Sequence, residues 1–161
     1  MIGAAAMAVH GVSRSTRDVD LFTLARECLE VAFWAPLRPT SVEARVRKGD
    51  ADDPLAGVVR LTAAGGEHPL DVVVGKSPWQ AAVTAGAREA LIEDVRVPVA
   101  SRVDLILLKL YAGGPQDAWD IQQLLEGPAG AELTARIDAA VTALPPQGRS
   151  LWARIRDAAR G

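Results

Sequence analysis

Two aspartates, Asp18 and Asp20, flank a single valine in the stretch "GVSRSTRDVDLFT", residues 11–23. Val19, Leu21 and Phe22 favour a strand. Side chains alternate faces along a strand, so both carboxylates share one face and repel each other. Solvent, a cation or a cationic side chain must compensate. A third acid, Asp71, interrupts the apolar run "PLDVVV", which also reads as a strand. If the two strands are neighbours, three carboxylates converge. A hard divalent cation such as Mg²⁺ suits such a cluster, taking a few carboxylates plus phosphates and water. Two such ions about 3.5–4 Å apart can activate an attacking hydroxyl and steady a leaving pyrophosphate. The competing reading makes Asp18 and Asp20 edge or turn residues paired with Arg14, Arg17 or Arg60, and spacing alone does not separate the two. Upstream, Gly3 and Ala4 open an Ala-rich helix. A glycine there lets phosphate approach backbone N–H groups at the positive end of a helix. Together these features describe a polyphosphate site with metal beside it.

The elements that must position these residues follow from local pattern. A short helix is predicted from Gly3 to Val9, then a polar loop, then a strand from Asp18 to Phe22. Apolar residues at helical spacing predict a helix from Leu24 to Trp34, ended by Pro36 and Pro39. "SVEARVRKG" and "AGVVRLTAA" read as a hairpin closed through the acidic turn "DADDP", and "HPLDVVVG" as a third strand. Pro78 opens a helix running through "SPWQAAVTAGAREA", and "IEDVRVPVA" returns as a short strand. From Ser101 onward four helical patterns are separated by Gly and Pro. The expectation is an α+β (mixed α/β) fold. A mixed β-sheet flanked by helices would occupy residues 1–100, and a helical C-terminal region residues 101–161.

Composition narrows the class. The chain has 161 residues, about half of them apolar, which supports a packed core; aromatic residues are scarce, so Ala, Val and Leu must fill it. A formal charge of −2 gives no global attraction to nucleic acid, although arginines cluster locally. The lone Cys28 excludes an internal disulfide and a Cys-rich metal site. No apolar run reaches membrane-spanning length, and the Ala-rich start lacks a basic lead-in. A soluble cytoplasmic protein is expected.

The order "IGA", "DVD", "LDV" resembles the DNA polymerase beta-like nucleotidyltransferase superfamily. The longer string "GAAAMAVHGVSRSTRDVDLF" is similar to the subgroup holding the AbiEii-type toxins of type IV toxin–antitoxin systems, in which Arg-x-Thr-x-Asp-hydrophobic-Asp recurs. The downstream "LILLKLYAGGPQDAWDIQQLL" resembles that subgroup's later motif, a helical lysine followed by Asp-x-x-Asp and a leucine pair. The resemblance spans residues 2–125. It implies a nucleotidyltransferase-like fold and Mg²⁺-dependent transfer of a nucleoside monophosphate from an NTP to a hydroxyl, with two ions. Asp18, Asp20 and Asp71 would bind the metals, Asp71 also positioning or deprotonating the acceptor. Gly3, Ala4, Arg14, Thr16 and Lys109 would contact the nucleotide, supported by Asp117 and Asp120. The acceptor would be a tRNA 3′ end or a small molecule of the antibiotic kind, and the partners a cognate antitoxin and a second copy in a homo-oligomer. A catalytically silent module acting through a partner protein is the reading from another class.

This sequence departs from the pattern at Ala4, where Gly or Ser is usual, and Gly113-Gly114 stands where an arginine is usual. Only Met1-Ile2 precede the motif, so either an upstream start or another chain covering the sheet edge is expected. Other residues have plainer readings. Lys109 could snorkel from an amphipathic helix, and Asp117 could be a helix N-cap. His10 reads as a cap or solvated residue, His68 as loop, and Cys28 as packed. Trp34, Trp79, Trp119 and Trp152 read as core or interface anchors. Arg149, Arg154, Arg156 and Arg160 give the last helix a basic face, solvated or facing RNA phosphates.

Overall fold

Strands form where Val and Leu alternate with charged residues. In the computed structural model, which describes residues 1–161 apart from positions 17, 67, 93, 127–129 and 160–161, these are β1 (Val19–Thr23), β2 (Val42–Lys48), β3 (Gly57–Ala63) and β4 (Leu70–Val74). Arg17 and Arg160, named above, lie outside the described residues. The sheet order is β1-β4-β3-β2. β1 runs parallel to β4, and the other pairings are antiparallel, so the sheet is mixed. The acidic segment between β2 and β3 closes on itself, Asp50 Oδ1 accepting from the Asp52 and Asp53 amides. One sheet face buries Val59, Val72 and Val74 against Cys28 and Leu29. Alternation therefore sends Arg60 and Asp71 to the opposite face.

A second sheet pairs β5 (Arg88–Ile92) with β6 (Val95–Val99). The helices are α1 (Gly3–Val9), α2 (Ala81–Ala85), α3 (Arg102–Ala112), α4 (Asp117–Leu125), α5 (Gly130–Ala140) and α6 (Pro146–Ala158). The chain is thus mixed α+β. Its larger core joins α1 to the C-terminal helices through Met7, Leu105, Ile106, Leu110, Ile121, Leu124 and Ile137, all fully buried. Each such side chain contributes about 1.5–3 kcal/mol by leaving water. Ser101 caps α3 by accepting from the Asp104 amide, and Gly113 ends it in the left-handed region at φ 63°. The extended pair Met1-Ile2 ties the two sheets together. Ile2 N–H donates to the Asp20 carbonyl at 2.8 Å and Ala100 N–H to the Met1 carbonyl at 3.0 Å. Among the described residues no helix is long and apolar enough to cross a membrane.

Two sequence-based expectations are corrected. Leu24–Trp34 is not an α-helix but part of two 3₁₀ segments, Arg26–Leu29 and Val31–Leu37, separated by an extended Glu30. Trp34 Nε1 donates to the Cys28 carbonyl at 2.8 Å, drawing it out of any helical ladder, and Pro36 lacks a donor. Its apolar residues split accordingly: Cys28 and Leu29 are buried, while Val31 and Phe33 are exposed. The helix opened by Pro78 stops at Ala85, and Arg88–Ala90, expected to extend it, belongs to β5. Gly86 ends that helix, and pairing with β6 outweighs the helical preference of Arg, Glu and Ala.

Candidate active site

The acids come from the sheet. Asp20 and Asp71 are register partners on the parallel strands β1 and β4, and such partners project from one face. Asp18, two residues before Asp20, belongs to that face. On β3, Arg60 is the register partner of Asp71. Its Nε donates to Asp71 Oδ1 at 2.8 Å and its Nη2 to Asp71 Oδ2 at 2.7 Å, a bidentate fork. Nη2 also reaches Asp18 Oδ2 at 3.3 Å. The hydrogen bond to Asp71, then its charge, raises the Arg60 pKa further above the ordinary value. Asp20 is half-buried beside two like charges. Burial first, then Asp71 and Asp18, push its carboxyl above the usual aspartate range. Gly3, at φ +69°, lies against this carboxyl, and a Cβ there would fall 2.0 Å from Asp20 Oδ2.

The cations and their supports come largely from the helices. Lys109, on α3, donates from Nζ to Asp117 Oδ1 at 3.2 Å and to Asp120 Oδ2. Asp120 is fully buried and also accepts from Arg14 Nη1 at 3.0 Å. Asp117 is the first residue of α4 rather than its N-cap, which is Gln116. The expected cap is thus corrected: Asp117 Oδ2 accepts instead from the Gly114 amide at 2.7 Å, bracing the turn after α3. Thr16 braces another loop, donating from its hydroxyl to the Asp18 carbonyl at 3.1 Å.

A cavity of about 470 Å³ brings most of these residues together. Gly3, Ala4, Arg14, Thr16, Asp20 and Lys109 line it, with Asp117 and Asp120 beneath the lysine. Asp71 instead faces a shallow groove shared with Arg45, Arg47 and Arg60. The three acids thus sit between the cavity and the groove. Sequence reasoning missed the Gly114 amide as a partner of Asp117. The signal was present, since a glycine pair between two helical patterns marks a left-handed stop followed by a tight turn.

Several of the remaining candidates have structural partners. His10 caps α1, and its Nε2 donates to the Ala100 carbonyl at 2.8 Å. Cys28 is buried, and burial pushes its thiol up, away from nucleophilic use. Trp152 is buried and donates to Asp138 Oδ1 at 2.8 Å, whereas Trp119 is half exposed. Of the basic last helix, Arg156 binds Asp138 and Arg149 the Leu144 carbonyl, while Arg154 is exposed.

Three carboxylates on one face, the central one resisting ionisation, form a hard oxygen donor set that fits Mg²⁺ in kind. Among the described residues no three such side chains are arranged to hold a metal ion as they stand. Two of the acids are engaged by Arg60. Compared with known proteins, the chain matches no family model and no curated sequence.

Proposed function

We propose that this chain is a nucleotidyltransferase-like protein that moves a nucleoside monophosphate from an NTP to a hydroxyl. The observation that carries the reading is the Asp20–Asp71 register, which gathers the acids beside a cavity walled by Lys109 and Arg14. The sequence resemblance, carried by these same residues, points the same way. Asp18, Asp20 and Asp71 would hold Mg²⁺, which when bound activates the attacking oxygen and screens phosphate charge. Lys109 and Arg14 offer fixed positive charge to the triphosphate, and Asp117 and Asp120 hold them there so that little reorganisation accompanies transfer. Asp71 stands at the groove side, where a carboxylate oxygen can accept the proton of the acceptor hydroxyl. Gly3 leaves room for Asp20, and the Ala4 methyl offers phosphate no hydrogen bond. By resemblance the acceptor would be a tRNA 3′ end or a small molecule of the antibiotic kind, and the partner a cognate antitoxin.

One observation favours a catalytically silent module instead. Both oxygens of Asp71 are occupied by Arg60. Incubation with each labelled NTP, Mg²⁺ and either total RNA or an aminoglycoside panel separates the readings. Label appearing in RNA or in a small molecule supports transfer and names the acceptor class. NTP binding that is equal with Mg²⁺ and with EDTA, without transfer, supports the silent module.

A further inference from the structure

The acid cluster already contains a cation of its own. Arg60 spends three hydrogen bonds on it, two to Asp71 and one to Asp18. The partners differ in freedom: the Arg60 side chain is 49% exposed and that of Asp71 only 14%. The carboxylate is therefore fixed by its strand, while the guanidinium can swing into solvent without opening a hole in the core. A divalent cation would seek the same oxygens. Placed within a few ångströms of a guanidinium it would be repelled, since like charges at that range interact strongly even in a partly solvated site.

We propose that Arg60 is the built-in counter-ion of the acid cluster, holding Asp71 and Asp18 in place without metal and competing with a divalent cation for them. Cation loading then requires Arg60 to leave at least one carboxylate. The arginine acts through Asp71 and Asp18 and is a positioning residue. Its competition is visible in binding as well as in turnover. The inference rests on the nucleotidyltransferase reading, because that reading is what brings a cation to these acids.

Calorimetric titration of Mn²⁺ into the wild-type chain, Arg60→Gln and Arg60→Lys tests it, with circular dichroism as the check on folding. Arg60→Gln is expected to bind Mn²⁺ about 10-fold tighter, the effect of removing one charge in direct contact. Arg60→Lys, which keeps the charge and loses the fork, should fall between. A residue that only stiffened the sheet would produce no such tightening. In the wild-type chain, the NMR signal of the Arg60 Nε–H should shift as Mg²⁺ is added; this measurement decides the matter if a variant fails to fold. Equal or weaker binding by Arg60→Gln, or an unmoved Nε–H signal at saturating Mg²⁺, overturns the counter-ion role and leaves the proposed activity standing. Absence of Mn²⁺ binding in every protein, wild type included, overturns both.

Discussion

Gly3 and Asp20 are fitted to each other. The glycine takes a left-handed conformation at the start of α1, and the space its missing Cβ leaves is filled by the Asp20 carboxyl. Any L side chain at this position meets two penalties. The backbone strain costs about 1–2 kcal/mol, and the new Cβ overlaps Asp20 Oδ2. Gly3→Ala should therefore melt at a lower temperature and bind Mn²⁺ more weakly, because Asp20 must move aside. A thermal melt with a parallel metal titration measures both. Unchanged values would remove Gly3 from the site.

Lys109 carries a different liability. It neutralises the fully buried Asp120 together with Arg14, and Asp117 as well. Removing one partner of a buried ionic network is costly, so Lys109→Ala should lose about 3 kcal/mol of stability. It should also slow transfer by about 10²–10³-fold. The double variant Lys109→Ala, Asp120→Asn should regain part of the stability and none of the transfer. Denaturant unfolding beside a single-turnover assay separates the two effects.

Stability of the metal-free protein should depend on Asp20 in a defined direction. Its carboxyl is pushed above the ordinary aspartate value by burial and by Asp71 and Asp18. The folded state therefore binds this proton more tightly than the unfolded state. Its contribution to stability is present at low pH and is lost as pH rises through the folded value. Asp20→Asn removes that loss. The variant should melt a few degrees above wild type at pH 7, the two converging below the ordinary aspartate range. Melting curves at several pH values in EDTA provide the check.

Ser101 begins the helix that presents Lys109. Its hydroxyl accepts from the Asp104 amide and donates to the Asp104 carboxylate. Ser101→Ala should cost about 1 kcal/mol as the cap is lost. Because Lys109 lies two turns further on, nucleotide affinity should fall little. Chemical denaturation and an NTP titration give the two numbers.

The sheet and the C-terminal helices were readable because their periodicities are clean: Val42, Ala44 and Val46 alternate with charge, and α3 presents an apolar stripe. Leu24–Trp34 was misread because its apolar residues are divided between a buried pair and an exposed pair, a division that periodicity cannot reveal. The β5–β6 hairpin turns through Asp94 at φ 66° without the Asn-Gly or Asp-Gly signal that announces such turns. In the candidate site, Asp18, Asp20 and Asp71 stood out as acids within apolar strand patterns, whereas the pairing of their strands comes from the fold. Which arginine meets them was not legible. Arg14 and Arg60 were both candidates, and the β3–β4 register gives the acids Arg60, while Arg14 travels to Asp120. That choice belongs to tertiary packing.

The spacing of these contacts along the chain has a consequence for how the protein is made. Arg60 meets Asp71 across 11 residues and Lys109 meets Asp120 across 11, but Arg14 meets Asp120 across 106. Short loops close cheaply and early, long ones late. The Arg60–Asp71 and Lys109–Asp120 contacts can thus close early, while the Arg14 side of the cavity waits for the longest of these closures. A ribosome must have added residue 120 before Arg14 has this carboxylate to hold. Between the synthesis of Asp71 and that of Asp120, the acids can gather while the cavity is still open on one side.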